Sequence, residues 1–300
     1  MNASRAHRLD RGSAPVLGSL AAVETRASAG QADGLVDLAR YPIAELGTPV
    51  GQQLVEKARR QLDEQGIFLF PSFLRPSAVE AIVAEVQALR SQAHLRQTPQ
   101  RLYPASVALD PRLPEDHPLR RDQRCVEGVL VYDLFGPSSR LRELYEWDAL
   151  PPFLAAVLKE PVYRCADPMV SVIVLVMEDG QEHGWHFDSN EYVVSIMLQA
   201  PRRGGEFQYV PLIRSADEEN YPAVEEVVSG SSDSVISVAV DPGTLVVFRG
   251  RRSLHRVTPV AGGRERLIAL LSYNSEPGFL FSDEIRIANA GRSVPLAVSS

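Results

Sequence analysis

Apolar side chains recur four apart at Leu54, Ala58 and Leu62, the spacing of one face of an amphipathic helix over residues 50–65, with Gly66 ending it. Ile67 to Phe70 is a short apolar run closed by Pro71 and predicts a strand. Over 76–94, Val79, Ile82, Val83, Val86 and Leu89 keep the 3.6-residue period of a second helix. Residues 96–125 lose this periodicity and are rich in Pro, Arg and Asp. They predict a loop that wraps the core or lines a mouth. Two shorter helices are expected near 138–147 and 150–158.

From residue 162 the pattern changes to serial β-rich runs: Val170–Met177, Tyr192–Gln199, Glu206–Val210, Val235–Val240, Thr244–Phe248 and Leu267–Tyr273. Turn signals separate them, among them Asp179-Gly180, Gly204-Gly205, Asp241-Pro242-Gly243 and Gly262-Gly263. Many short strands with regular turns predict a sandwich or barrel. The expected fold class is therefore α+β, with N-terminal helices supporting a β core at about 162–275. The polar segment 211–233 interrupts the strands with a short helix and is a candidate lid at the barrel mouth. Residues 1–35 read as a disordered tail, and 36–300 as one domain.

Charge and cysteines narrow the function classes. A net charge of -7 and a pI near 5.5 argue against the basic face of a nucleic-acid-binding protein, while leaving room for a locally basic pocket. The two cysteines, Cys125 and Cys165, are too few for a disulfide scaffold or paired CxxC zinc ligands. They are expected as reduced thiols. No apolar run approaches the ~20 residues of a membrane span, and the N-terminus lacks the apolar stretch of a secretory signal. The expected location is cytoplasmic.

Three of the six histidines, His183, His186 and His255, fall in the β-rich half. In Gly184-Trp185-His186-Phe187-Asp188, residues i and i+2 of an extended chain point the same way. His186 and Asp188 can thus present an imidazole and a carboxylate to one point. His255, after the strand Thr244–Phe248, is the candidate third ligand. Two His and one carboxylate on one face of a metal suit non-heme iron, although zinc uses the same residue types. Arg266 opens the strand after Gly262-Gly263. A buried arginine there can take a carboxylate in two-pronged fashion, such as the remote carboxylate of 2-oxoglutarate. Arg121 and Arg124 are candidate anchors for a substrate carboxylate, and Asn274 is a candidate substrate-binding amide.

The segments LRELYEW, YRCADP, GWHFD, GGEFQ, IRSADEENYPAV, PGTLVVFRGRRSLHRVTPV and RERLIALLSYNSEPG resemble the iron/2-oxoglutarate enzymes related to the BesD-type radical halogenases, which act on free amino acids. GIFLFPSFLRPSAVEAIVAEVQAL extends the resemblance more loosely toward the N-terminus. The family implies a double-stranded β-helix (jelly-roll) core, Fe(II) as metal, 2-oxoglutarate and O2 as co-substrates, and a histidine at the place of His183 facing the substrate. In those halogenases the carboxylate position of HxD is Gly or Ala and chloride fills the vacancy. Asp188 departs from that pattern and implies a hydroxylase relative. The alternatives are the same chemistry on another small or carrier-bound metabolite, desaturation or cyclisation in place of hydroxylation, and a metal-binding β-barrel without turnover.

Overall fold

A computed structural model describes residues 34–104 and 107–296. The tail expected at the N-terminus lies outside the described residues up to residue 33. In chain order the principal elements are α1 (Pro49–Gln65), β1 (Ile67–Phe70), α2 (Pro76–Leu89), β2 (His94–Arg96), β3 (Cys125–Val131), α3 (Arg140–Glu146), α4 (Leu150–Leu158), β4 (Val172–Met177), β5 (Glu182–His186), β6 (Val193–Gln199), β7 (Phe207–Val210), α5 (Tyr221–Ser229), β8 (Ile236–Val238), β9 (Leu245–Phe248), β10 (Leu254–Val257), β11 (Arg266–Leu271) and α6 (Asp283–Ala290).

The strands run antiparallel in the order β1-β9-β6-β11-β4-β3-β5-β10-β7-β8, with β2 on the other side of β3. The path curls into two layers at β3. Residues 128–131 pair with β4, whereas Cys125 and Val126 pair with β5. This curled antiparallel sheet flanked by helices is the α+β jelly-roll that the family resemblance implies.

Alternation along each strand sorts two cores. Leu267, Ala269 and Leu271 of β11 join Val172, Val174 and Val176 of β4 and Val194, Ile196 and Leu198 of β6 on the outer face. There they pack against Val55, Ala58 and Leu62 of α1, Ile82 and Val86 of α2, and Phe153 and Leu154 of α4. The larger of these buried side chains, such as Leu62, Ile82 and Leu267, each cost about 2–5 kcal/mol when cut to alanine. The inner face carries Val129, Leu175, Met197 and Ile268 at one end and Val246, Phe248 and Tyr209 at the other. The inner face also carries the polar residues of the site.

Helix α1 is capped by Thr48, whose hydroxyl accepts from the Gly51 N–H at 3.1 Å, and ends at Gly66 with φ 70°. Gly66 occupies the left-handed region that glycine tolerates. The helix expected over 76–94 stops at Leu89, because the chain turns through Arg90–Gln92 into β2. The stretch 96–125 holds a two-strand pairing of Gln100–Arg101 with Asp122–Gln123.

The segment 211–233 contains the expected short helix, α5, but does not border the inner cavity. Val224 and Val227 pack with Leu102, Trp185 and Leu254 on the outer face of the second layer. Its apolar side therefore has a core of its own, and the segment backs the cavity wall at Tyr103, whose hydroxyl donates to the Glu219 carbonyl at 2.9 Å. Helix α6 does border the cavity, through Ile285, Ala288 and Asn289, with Phe281 just before it. It is tied down by Arg286 to Asp167 at 2.9 Å and by Asn289, whose side-chain oxygen accepts from Arg96 at 3.0 Å. No helix among the described residues is long and apolar enough to cross a membrane.

Candidate metal and co-substrate site

His186 ends β5 and lies directly opposite His255 of β10. Asp188 follows two residues later. Its backbone N–H donates to the Gly250 carbonyl at 3.1 Å, which ties the HxD segment to the turn after β9. One ligand atom from each of His186, Asp188 and His255 falls within 4.8 Å of the others. Nε2 of His186 is 3.6 Å from one Asp188 carboxylate oxygen, and Nε2 of His255 is 3.3 Å from the other.

Both imidazoles are oriented from behind. Nδ1 of His186 meets the Gly184 carbonyl at 2.8 Å, and Nδ1 of His255 meets that of Ser253 at 2.9 Å. A carbonyl only accepts, so each Nδ1 carries the proton and each Nε2 offers its lone pair to the common point. Burial pushes both imidazoles down, His255 to about 4, so they stay neutral and ready to ligate. Burial alone would raise Asp188, but His255, His186 and His183 together outweigh it and the carboxyl falls to about 2. Oδ2 of Asp188 is buried without a hydrogen-bond partner. Two neutral imidazoles and an unsatisfied carboxylate are a donor set that fits iron.

These residues open on a cavity of about 830 Å³ that also reaches Arg266. Arg266 is fully buried on the inner face of β11. Its Nε donates to the Gly205 carbonyl at 3.1 Å, and the side chain has no ion-pair partner among the described residues. Burial lowers its pKa to about 10, which leaves a guanidinium charged at neutral pH and open to an anion.

A second polar cluster stands beside the first. Glu127 of β3, fully buried, accepts a hydrogen bond from Arg96 and lies 3.5 Å from Nδ1 of His183. Burial opposes its ionisation, yet Arg96 and His183 hold it far below the usual carboxylate range. Cys125 completes a group with ligand-like spacing. Arg96 already neutralises the carboxylate there, and burial followed by Glu127 pushes the thiol up to about 12. A protonated thiol beside a guanidinium is a poor metal site.

Of the residues anticipated for substrate, His183 and Asn274 border the cavity. Asn274 also accepts from the Glu276 N–H at 2.9 Å, as a turn residue does. Arg121 and Arg124 do not border it. Arg121 pairs with Glu225 and Arg124 with Glu182, each at 2.7 Å. Their place is taken by Arg96 and Arg101, from the stretch without apolar periodicity. Arg101 has no ion pair among the described residues. Gln100, also on the wall, meets Nε2 of His183 at 2.6 Å.

A family model described as halogenase D matches residues 50–280. The chain belongs to the halogenase D family. It is accordingly an iron- and 2-oxoglutarate-dependent oxygenase. No curated protein matches it in sequence. Among solved structures it is similar to the carbocyclase SnoK from nogalamycin biosynthesis, with 18% identity over 81% of this chain and 94% of that one, at a TM-score of 0.52. The epimerase SnoN from the same biosynthesis has 12% identity over 74% and 81%, at 0.52. AviO1 from Streptomyces viridochromogenes Tue57 has 18% over 74% and 95%, at 0.51. At such identities the likeness is one of fold.

Proposed function

We propose that this halogenase D family member hydroxylates an unactivated C–H bond of a free amino acid, one atom of O2 entering the product and the other entering succinate as 2-oxoglutarate loses CO2. The observation that carries the reading is the Asp188 carboxylate seated between the two imidazoles, at the place where the halogenases it resembles leave room for halide. In this reading His186, Asp188 and His255 hold the iron, which supplies oxidation by dioxygen when bound. Arg266 takes the remote carboxylate of 2-oxoglutarate, since a fully buried guanidinium with no ion pair among the described residues gains most from a carboxylate brought in with the co-substrate. His183, Arg101 and Asn274 meet the substrate from the cavity wall, Arg101 receiving its carboxylate. The protein's contribution is placement of one C–H bond toward the metal.

The decisive experiment is anaerobic loading with Fe(II) and 2-oxoglutarate, then air, chloride and a panel of free amino acids. The expected result is substrate-dependent succinate and a product heavier by one oxygen. A chlorinated product would overturn the hydroxylase reading. The cavity's size favours a second reading, a larger or carrier-bound metabolite, because about 830 Å³ lies in the range of sites for drug-sized ligands. Turnover of such compounds, with none of any free amino acid, would select it.

A further inference from the structure

Gly250 stands against the Asp188 carboxylate at a distance that admits no side chain. A Cβ placed on Gly250 would lie 1.9 Å from Oδ2 of Asp188, 2.8 Å from its Cγ and 3.0 Å from its Cβ. Nothing in the backbone of Gly250 itself calls for glycine, because it is not among the glycines with positive φ. The demand comes from the neighbour. The two backbones are already tied by the Asp188 N–H to Gly250 carbonyl bond, so neither strand end can back away without losing it. On its other side the carboxylate faces Nε2 of His186 and of His255 at 3.6 and 3.3 Å. It is wedged between an imidazole pair and a bare Cα.

We infer that Gly250 is a positioning residue for the metal site: its missing side chain is the space into which the Asp188 carboxylate fits when it points at the two histidines. This rests on the reading of Asp188 as the third ligand. A methyl at position 250 leaves the carboxylate one way to relieve the clash, rotation away from Nε2 of His255 into the cavity. The residue at 250 thus sets how much of the third coordination position a protein carboxylate can occupy, although it touches neither metal nor substrate.

The test is a double-mutant cycle on anaerobic Fe(II) affinity, measured by equilibrium dialysis of the full chain, with far-ultraviolet circular dichroism on each variant. Gly250→Ala is expected to weaken Fe(II) binding about 10–100-fold, the range seen when the support of a metal ligand is lost. In the Asp188→Gly background the same methyl is expected to change affinity less than about twofold, because the group it strikes is gone and the two sites are then uncoupled. Equal losses in both backgrounds, or affinity unchanged in Gly250→Ala, would overturn the inference. Should Asp188→Gly alone leave Fe(II) affinity intact, the ligand reading falls and the inference falls with it. If Gly250→Ala does not fold, the double variant decides: recovered folding supports the clash with Asp188, and a double variant that stays unfolded refutes it.

Discussion

The imidazole of His183 lies flat on that of His186, with ring centroids 4.0 Å apart and planes inclined by 10°. The stack is held from the far side, since Nε2 of His183 meets Gln100 and Nδ1 faces Glu127. One ring therefore does two jobs: its face supports a candidate ligand, and its nitrogens hold Gln100 and Glu127 in place at the cavity wall.

Those two jobs separate by substitution. His183→Phe keeps a flat ring against His186 and removes both nitrogens, whereas His183→Ala removes the ring as well. The expectation is near-normal Fe(II) content for His183→Phe, with kcat/KM for substrate lowered about tenfold or more by the lost hydrogen bonding. His183→Ala is expected to lower iron content too. Full kcat/KM in His183→Phe would remove this residue from the substrate wall.

Arg266 gives a prediction of opposite signs. A guanidinium this deeply buried, with no ion pair among the described residues and only the field of Glu127 to offset its burial, costs the co-substrate-free protein stability. Arg266→Met, of similar length and apolar, is expected to raise the thermal midpoint of the ligand-free protein while abolishing stabilisation by 2-oxoglutarate, which acts through binding to the folded state. Thermal melts with and without the co-substrate check both arms. A midpoint that still climbs with 2-oxoglutarate in the variant would place the anchor elsewhere.

Much of this site was legible along the chain because its chemistry sits at fixed offsets. His186 and Asp188 share a face by the two-residue alternation of an extended chain, and Arg266 opens a continuous apolar run, Leu267 to Leu271. The strands β5 and β10 were not legible. Their inward positions hold His183, His186 and His255 in place of the apolar residues that mark a strand, and only the cross-strand pairing of His186 with His255 reveals them. Arg121 and Arg124 misled for a related reason. Sequence position places an arginine near a mouth without showing that Glu225 or Glu182 neutralises it. The signal for Arg101 was weaker still, since a short pairing across a long polar connection is set by tertiary contact. Gly250 carries no sequence signal, its role being a steric relation to a residue sixty-two positions away.

His186→Ala or His255→Ala removes one of two imidazoles whose orientation the chain has built with dedicated carbonyl acceptors. Each is expected to purify with less than about a tenth of the wild-type iron and no measurable turnover, as the loss of a direct ligand exceeds the 10–100-fold of an outer-shell change. Metal analysis after anaerobic loading checks it. Undiminished turnover in either variant would sink the ligand assignment.

Glu127 makes stability depend on pH in a defined direction. Its folded pKa is depressed, so the stabilisation it brings is complete above the unfolded value of about 4.3 and drains away as pH falls toward the folded one. Glu127→Gln strands the largely buried Arg96 without its counter-charge and is expected to cost about 3–5 kcal/mol at neutral pH. The gap between wild type and variant in urea unfolding should narrow as pH drops below about 4. A gap that widens on acidification would show that Glu127 is not the ionised partner of Arg96.

The cations of the 96–124 stretch divide by what already neutralises them, and that division yields the sharpest contrast with the sequence reading. Arg121 and Arg124 each spend their charge on a surface glutamate, a contact worth about 1 kcal/mol or less when exposed. Arg101 borders the cavity and has no ion pair among the described residues. If the substrate carries a carboxylate, Arg101 is the side chain whose charge is left to meet it. Arg101→Ala is then expected to raise KM for the substrate about tenfold or more, the loss of one charge-assisted hydrogen bond. Arg121→Ala and Arg124→Ala should leave KM within about twofold, since surface substitutions of this kind are usually within ±0.5 kcal/mol. Steady-state succinate formation across the three variants checks it. A KM effect at Arg121 or Arg124 with none at Arg101 would mean that the 96–124 stretch rearranges when substrate binds.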